Sequence, residues 1–312
     1  MITALALLLA GLLLLTLAAD RFVLAAARLS RAWGMSPILI GALVVGLGTS
    51  APELLVSVLA AGRGELDLAI GNVVGSNTAN VTLVLGTTAL VGTIFSRGTI
   101  VRREGGLMLL AVVTFSFLLL DLEMNRWEAA GLFGGMVVAA FLLIRWARRD
   151  AARGRAPDPD VPEAQAVFVP RELIMGTLTL GLTLLGAEFL VRGAGLLADE
   201  VGISDAFVGL VIVSVGTSLP ELATALAAAR RSETDLVLGN VLGSNLFNTL
   251  MVAGTAGLVG PGPVDDTFGI AAGFMAGSAL LAGVLVLTGR RLVRWEGAVL
   301  LTIFLAFVGF AV

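Results

Sequence analysis

Residues 48–53 read GTSAPE and residues 71–80 read GNVVGSNTAN, and both blocks return later as GTSLPE at 216–221 and GNVLGSNLFN at 239–248. Each second copy lies 168 residues after the first. The aligned segment begins at Gly46 and spans 41 residues, of which 21 are identical without a gap. Most identical positions hold Gly, Pro, Ser, Thr, Asn, Asp or Glu, whereas chance similarity between apolar helices would match Leu, Val and Ala. The segment is therefore an internal duplication.

The chain around this duplication is strongly apolar. Of its 312 residues, 57% are hydrophobic and 14% are charged, and the mean hydropathy is +0.99. This composition excludes an ordinary water-soluble enzyme. A helix needs about 20 apolar residues to cross a bilayer, so the fold class predicted is an all-α polytopic membrane protein. Apolar runs between short polar breaks predict ten transmembrane helices, at 2–27, 36–61, 67–91, 105–121, 127–147, 171–198, 205–229, 235–259, 267–288 and 295–312.

The duplication divides these ten helices into two halves of five. Residues 1–147 are predicted to form the first five-helix repeat, 148–170 a solvated cytoplasmic linker, and 171–312 the second repeat. Because five is an odd number, the second half enters the membrane upside down relative to the first. Two inverted five-helix repeats are the plan of many secondary transporters.

Arginine placement predicts the orientation. All 20 basic residues are Arg, and most follow the first, third, fifth, seventh and ninth predicted helices, whereas the opposite connections are acidic. The positive-inside rule then puts the odd-numbered connections in the cytoplasm and both termini outside. The first apolar stretch is too long for a signal peptide and lacks a basic n-region, so it is interpreted as a membrane helix. The Arg-only basic set and the compact loops indicate a multi-pass protein of a prokaryotic cell (inner) membrane.

Two absences restrict the chemistry. The chain has no His and no Cys, which excludes Ser-His and Cys-His nucleophiles, imidazole or thiolate metal sites, and disulfides.

Glu53 and Glu221 fall near the middle of predicted membrane helices, where a carboxylate costs about 2.5 to 3.5 kcal/mol on insertion scales. No Arg lies at comparable depth in those helices. The simplest partner for the two glutamates is a cation, held by oxygen.

The neighbouring residues add oxygen ligands. Pro52 and Pro220 remove a helical hydrogen bond four residues back, at Gly48 and Gly216, and are predicted to kink or unwind the helix and free carbonyl groups. Thr49, Ser50, Thr217 and Ser218 add hydroxyls on the same turn as the freed carbonyls. Further amides and hydroxyls recur at four-residue spacing, which places each set along one helix face; these are Asn72, Ser76 and Asn80, and Asn240, Ser244 and Asn248. Hard oxygen ligands with two negative charges suit Ca²⁺ or Na⁺ better than a soft transition metal.

GTSxPE followed by GNxxGSNxxN in both halves resembles the two α-repeats of the sodium/calcium exchanger family, within the calcium:cation antiporters. The resemblance implies that Glu53 and Glu221 are central carboxylates shared by Ca²⁺ and Na⁺. The further ligands that it implies are the hydroxyl or carbonyl oxygens of Thr49, Ser50, Thr217 and Ser218, the carbonyls of Gly46 and Ser214, and the side chains of Ser76, Asn80, Ser244 and Asn248. Asn77 and Asn245 are expected to orient the glutamates without contacting the ion themselves.

One position departs from part of that family. Some members, including potassium-dependent exchangers, carry Asp at the last position of the second GSNxxN block, where this chain has Asn248. The expected site therefore holds two acids rather than three, which argues against K⁺ co-transport. Two carboxylates balance one Ca²⁺, so exchange for more than two Na⁺ is expected to be electrogenic.

The function predicted is Na⁺/Ca²⁺ antiport by alternating access, and the resemblance suggests that helices 1 and 6 move against the other eight. The expected partners are the two transported ions and the lipid bilayer; no cofactor, nucleic acid or obligate protein partner is predicted, and the chain is not expected to be an enzyme. The alternatives are an H⁺/Ca²⁺ or other cation/Ca²⁺ exchanger on the same scaffold, a cation channel, and an intramembrane enzyme built on a carboxylate dyad.

Other motifs are interpreted as structural. The GxxxG pairs Gly71 with Gly75 and Gly239 with Gly243 are expected to serve close helix packing. Asp20 and Glu188 correspond at the 168-residue offset. Because Arg21 and Arg192 lie close by, Asp20 and Glu188 are expected to make structural ion pairs or snorkelling contacts rather than to take part in transport.

Overall fold

A computed structural model describes residues 2–35, 37–96, 101–152, 167–201 and 214–311. Nearly all of these residues are helical. The helices are α1 Ile2–Ala32, α2 Ile38–Thr49, α3 Ala51–Gly62, α4 Leu66–Val91, α5 Arg102–Asp121, α6 Arg126–Ala152, α7 Val169–Val201, α8 Ser214–Thr217, α9 Leu219–Arg230, α10 Thr234–Val259, α11 Thr267–Gly289 and α12 Arg294–Ala311. The short strands are β1 Ile94–Phe95, β2 Glu123–Met124, β3 Gly262–Pro263 and β4 Arg291–Leu292.

The helices match the membrane class predicted from the sequence. Among the described residues, α1, α4, α5, α6, α7, α10 and α11 are each long and apolar enough to cross a bilayer. The bent pair α2 and α3 makes an eighth candidate. The helical membrane class is therefore confirmed, whereas the number ten stays a prediction. Residues 205–213 of the predicted seventh helix lie outside the described residues.

The helices on either side of the predicted linker at 148–170 extend into those bounds. Helix α6 continues through Arg148 and Arg149 to Ala152, and α7 begins at Val169. Arginine is a good helix former, and a cation in the last turn interacts favourably with the helix dipole, so these arginines extend the helix. The residues at 153–166 lie outside the described ranges.

The two halves fold alike, in agreement with the duplication. Helices α3 and α9 match at the 168-residue offset, and so do the π-helical turns Asn80–Val84 in α4 and Asn248–Val252 in α10. Residues with positive φ recur at the same offset, in the pairs Gly64 and Ser232, and Leu122 and Arg290. The repeat extends from the motif into the backbone conformation of the turns.

The four strands were not predicted from the sequence, and they join the two halves. Strand β1 pairs with β4 and β2 pairs with β3, both antiparallel. The 168-residue offset converts one pair into the other: Ile94 lies opposite Leu292, and the corresponding Gly262 lies opposite Met124. Each strand is two residues long, which is too short for an alternating apolar pattern to reveal it. The pairing supplies hydrogen-bond partners to backbone that has left a helix.

Helices α4 and α10 form the centre of the protein. In their most apolar 18-residue windows, 83% of the residues of α4 and 89% of those of α10 are buried, against 28% in α1, α5, α6 and α7. The two central helices also carry the Asn- and Ser-rich motifs. Polar side chains are costly against lipid, so the helices that bear them lie inside the bundle and the purely apolar helices surround them.

Glycines bring α10 against α2. A Cβ added at Gly239 would lie 2.4 Å from the carbonyl oxygen of Ile38, and one at Gly243 would lie 2.4 Å from that of Ala42. The packing role predicted for these two glycines is confirmed. Gly71 differs, because a Cβ there would meet only the Phe268 ring, at the ordinary contact distance of 3.4 Å.

Helices α1 and α7 pack closely against each other along their length. A Cβ added at Gly186 of α7 would lie 2.6 Å from the backbone nitrogen of Leu15 in α1, and Gly11 and Gly193 make similarly close backbone approaches. Near the other end, Arg28 of α1 is paired with Glu172 of α7 at 2.9 Å. The two helices form one closely packed pair.

Asp20 and Glu188 both form ion pairs, and the partner of Asp20 is not the arginine next to it in the sequence. Glu188 is paired with Arg192 at 2.5 Å, as expected. Asp20 is paired with Arg231 rather than with its sequence neighbour Arg21, at 2.6 and 2.9 Å. The ion pair of Asp20 links α1 to the end of α9, because successive residues of a helix point in different directions and the packing brings Arg231 to Asp20.

The close approach of α10 to α2 generates a stability prediction. Gly239→Ala should lower the stability of the purified protein by about 1 to 3 kcal/mol, because the added methyl group meets backbone atoms that cannot move aside. Gly277→Ala is the matched control, since a Cβ at Gly277 meets nothing within 4 Å. Thermal unfolding in detergent measures both variants. Equal midpoints for the two would show that the contact at Gly239 is not tight.

Candidate cation site

Two interrupted helices place the glutamates. The backbone leaves the helical conformation at Ser50 (φ −84°, ψ 11°) and at Ser218 (φ −86°, ψ 2°). Helices α2 and α3 are bent by 44° across this break. The kink expected from Pro52 is therefore present, and the helix is interrupted at the corresponding place before Pro220. Glu53 lies in the first turn of α3 and Glu221 in the first turn of α9, and both side chains are fully buried.

Helices α4 and α10 complete the surroundings of both glutamates. Their motif residues share one environment, because all of them are buried at the centre of the protein; they are Asn72, Ser76, Asn77 and Asn80 in α4, and Asn240, Ser244, Asn245 and Asn248 in α10. Thr49, Ser50 and Ser218 are buried as well. Ser214 begins α8. The breaks at Ser50 and Ser218 and the two central helices thus bring the motif residues of each half into one buried polar cluster.

Hydrogen bonds across the two halves build the cluster around Glu221. The Ser50 hydroxyl donates to Oε1 of Glu221 at 2.8 Å. The Ser244 hydroxyl lies 3.4 Å from the same oxygen and 3.2 Å from the carbonyl oxygen of Gly46. The predicted ligands Ser50, Gly46, Ser244 and Glu221, from both halves, are therefore in contact.

Asn72 and Asn240, which were expected to supply oxygen ligands, hold the glutamate segments in place through their amide nitrogens. The Asn240 amide nitrogen donates to the backbone carbonyl of Glu221 and to the Thr224 hydroxyl, both at 3.1 Å. The Asn72 amide nitrogen makes the equivalent bonds, to the carbonyl of Glu53 at 3.2 Å and to the Ser57 hydroxyl at 3.0 Å. The recurrence of these asparagines in GNxxGSNxxN was the available signal, but it did not reveal their partners.

The two asparagines also reach across to the other half. The Thr217 hydroxyl donates to Oδ1 of Asn72 at 3.3 Å. The Thr49 hydroxyl lies 3.4 Å from Oδ1 of Asn240, and it donates to the carbonyl of Val45 in its own helix at 2.9 Å. Each asparagine therefore connects the glutamate of one half to the threonine of the other.

Asn77 and Asn245 make bonds other than those expected. The Asn77 amide nitrogen donates to the Thr249 hydroxyl at 2.8 Å, and that of Asn245 lies 3.4 Å from the backbone carbonyl of Asn77. In the described part of the chain, neither amide is hydrogen bonded to a glutamate. Both Oδ1 atoms are left without a hydrogen-bond partner there. Their amide oxygens, rather than their nitrogens, are available to the cluster.

The cluster contains many buried polar atoms without a hydrogen-bond partner among the described residues. Nine are oxygens and two are the amide nitrogens of Asn80 and Asn248. The oxygens are both carboxylate oxygens of Glu53, Oε2 of Glu221, the hydroxyls of Ser76 and Ser218, and Oδ1 of Asn77, Asn80, Asn245 and Asn248. An unsatisfied buried polar atom costs about 1 to 3 kcal/mol. Such a concentration in one place indicates a binding site rather than a stabilising core.

The donor set suits a hard cation. Within the described ranges, neither glutamate is paired with an arginine, and no group of three or more His, Cys, Asp or Glu side chains forms a metal cluster. The site therefore combines two carboxylates with neutral hydroxyl and amide oxygens. Ca²⁺ takes six to eight oxygen ligands in flexible geometry, whereas transition metals favour imidazole and thiolate ligands, and this chain has no His and no Cys.

Comparisons with known proteins agree with this chemistry. The model of the family described as sodium/calcium exchanger protein matches residues 3–145 and 173–312. The putative antiporter CaxA of Alkalimonas amylolytica is 38% identical over 99% of this chain and 98% of its own length. The sodium/calcium exchanger MaX1 of Methanosarcina acetivorans is 31% identical over 96% of each protein. A solved structure of the sodium-calcium exchanger NCX_Mj, soaked with Na⁺ and Sr²⁺, superposes with a TM-score of 0.85 at 29% identity, over 99% of this chain and 98% of that one.

The bonds of Asn240 generate a binding prediction. Asn240→Leu should weaken Ca²⁺ binding by roughly 10- to 100-fold, the usual effect of losing a group that orients a ligand. Calorimetric titration of the purified protein measures the affinity, and circular dichroism checks the fold. Thr88→Val is the control, since it removes a buried hydroxyl that bonds a carbonyl of its own helix, outside the cluster. Unchanged affinity in folded Asn240→Leu would refute the positioning role.

Proposed function

Because this chain belongs to the sodium/calcium exchanger protein family, we propose that it exchanges Na⁺ for Ca²⁺ at the cluster around Glu53 and Glu221. Membership establishes an integral, multi-pass membrane antiporter of Ca²⁺ and another cation, which is not an enzyme. The inner membrane fits the 38% identity to the inner membrane protein YrbG of Escherichia coli, over 85% of this chain and 82% of that protein. The counter-ion, the binding residues and the transport cycle are the parts proposed here.

The observation that carries the proposal is the set of nine unpaired oxygens around two buried carboxylates. A buried charge without a partner is expensive, and no arginine compensates these two in the described structure. One Ca²⁺ would balance both charges. Several Na⁺ ions could use the same oxygens in turn, since both ions prefer hard oxygen ligands.

Na⁺ is favoured over H⁺ as the counter-ion by the relatives. MaX1 carries the name sodium/calcium exchanger, and the NCX_Mj crystals were soaked with Na⁺ in exchange experiments. The absence of His also removes the side chain that titrates near neutral pH. If more than two Na⁺ replace one Ca²⁺ over two carboxylates, each cycle moves net positive charge.

Two observations support alternating access by inverted halves. The turns and strand pairs recur at the 168-residue offset, so the chain has two copies of one unit around the cluster. An odd number of membrane helices in each copy would invert the second copy. Helices α1 and α7 are packed on each other through glycines, which suits a pair that moves as one body.

The ion pairs differ between the halves and support two alternating states. At the 168-residue offset, Asp20 corresponds to Glu188 and Arg231 to Arg63. Asp20 of α1 is paired with Arg231 of the surrounding bundle, whereas Glu188 of α7 is paired with Arg192 of its own helix. Arg63 makes no ion pair in the described part of the chain. We expect the opposite state to pair Glu188 with Arg63 and to release Asp20.

The transport proposal is tested in vesicles. Wild-type protein should take up Ca²⁺ when Na⁺ is higher inside, and Glu53→Gln and Glu221→Gln should each reduce that uptake to background, because one carboxylate cannot balance a divalent ion. Glu123→Gln, at an exposed glutamate of β2, is the matched control. Ca²⁺ uptake that is independent of the Na⁺ gradient and driven by a pH gradient would show that the counter-ion is H⁺ rather than Na⁺. Single-channel currents would favour a channel.

If the two ion pairs form in alternating states, removing either one should change the apparent Ca²⁺ affinity on the two faces of the membrane. Removing one exposed ion pair shifts an equilibrium by at most about 1 kcal/mol, or roughly fivefold. Arg231→Gln and Arg63→Gln should therefore change the half-saturating Ca²⁺ concentration by up to about fivefold in opposite directions, when exchange is measured in right-side-out and inside-out vesicles. Arg291→Gln, at an exposed arginine of β4, is the control. Shifts in the same direction would contradict two exchanging ion pairs.

A further inference from the structure

A cavity of about 270 Å³ lies between α4, α5, α10 and α11, outside the cation cluster. Its wall is apolar and includes Val81, Leu85, Met108 and Val241; the exception is Arg102. Among the lining residues, Arg102, Gly106 and Leu287 are exposed, so the cavity opens at the surface beside them. The neighbouring surface of α11 is apolar as well, with Val284 53% exposed. The opening therefore faces the lipid side of the protein.

Two glycines leave free volume in this cavity because they have no side chains. A Cβ added at Gly106 or at Gly283 would meet nothing within 4 Å. At the 168-residue offset, Gly106 corresponds to Phe274 and Gly283 to Phe115. The Phe115 ring is completely buried, so a large side chain occupies the position in the first half that corresponds to open space in the second.

The positive charge of Arg102 at the opening is also absent from the equivalent place in the other half. Arg102 corresponds to Ile270 in the other half, and Ile270 is exposed. In the described part of the chain Arg102 makes no ion pair, while the guanidinium of its neighbour Arg103 lies over the Trp146 ring at 6.0 Å. Free volume and an unpaired cation therefore coincide at one of the two equivalent places.

We propose that this cavity binds one acyl chain of an anionic phospholipid, with the headgroup phosphate held by Arg102. The volume equals roughly nine water-sized volumes of about 30 Å³ each, which suits part of a single chain and not two chains. An apolar chain gains little by leaving lipid for an apolar cavity, so selectivity comes from the headgroup. Basic pockets between membrane helices recognise anionic headgroups, and one arginine contributes about fivefold in preference.

The test uses the 312-residue chain and two purified lipids. Protein in detergent is incubated with phosphatidylglycerol or phosphatidylcholine of the same acyl chains, and retained lipid is counted by native mass spectrometry. Wild-type protein should retain one phosphatidylglycerol with roughly fivefold preference. Gly283→Phe, which copies the other half, should abolish retention. Arg102→Ile should still retain a lipid but without preference for the anionic headgroup.

Matched variants separate the cavity from the general lipid surface. Gly134→Phe adds the same ring at an exposed glycine of α6, and Arg291→Ile removes an exposed arginine outside the cavity. Both should behave as the wild type does. Gly283→Leu fills the cavity with a smaller side chain and replaces Gly283→Phe if that variant does not fold. Equal retention of the two lipids by the wild type, or unchanged retention in both Gly283 variants, would overturn the proposal.

Discussion

Two carboxylates buried at the centre of an apolar bundle are the constraint on which the rest of the structure depends. Glu53 and Glu221 are fully buried and have no arginine partner in the described structure. Charges in such surroundings are tolerated only where they are paired or bind a cation. The oxygen-rich motifs, the helix breaks near Pro52 and Pro220 and the central placement of α4 and α10 all serve to surround these two groups with oxygen.

The fold leaves the oxygens of Asn77 and Asn245 available by bonding their amide nitrogens elsewhere, while the amide nitrogens of Asn80 and Asn248 have no partner among the described residues. Asn72 and Asn240 donate both amide hydrogens to the glutamate segments, and Asn77 donates to Thr249. The bonds also cross between the halves, as when Ser50 donates to Glu221. Residues of both halves therefore contribute to the buried polar cluster, and the close backbone packing at Gly239 and Gly243 holds the halves together.

The two halves are alike in sequence and unequal in detail. Glu221 accepts a hydrogen bond from Ser50, while the corresponding Ser218 hydroxyl has no partner in the described part of the chain. The ion pairs of Asp20 and Glu188 and the cavity beside Arg102 show the same inequality. A repeated sequence can adopt two different local arrangements when the two differ only slightly in free energy.

The sequence by itself determined the helical membrane class, the duplication, the helix breaks near the prolines and most of the polar residues that lie in the buried cluster, because long apolar runs, prolines and a repeat of polar residues act through local rules. It did not reveal the partner of Asp20, the roles of Asn72 and Asn240, the ends of the linker or the two-residue strands. Those features depend on which surfaces pack together, and side chains far apart in the chain, such as Arg231 and Asp20, become neighbours only in the tertiary structure.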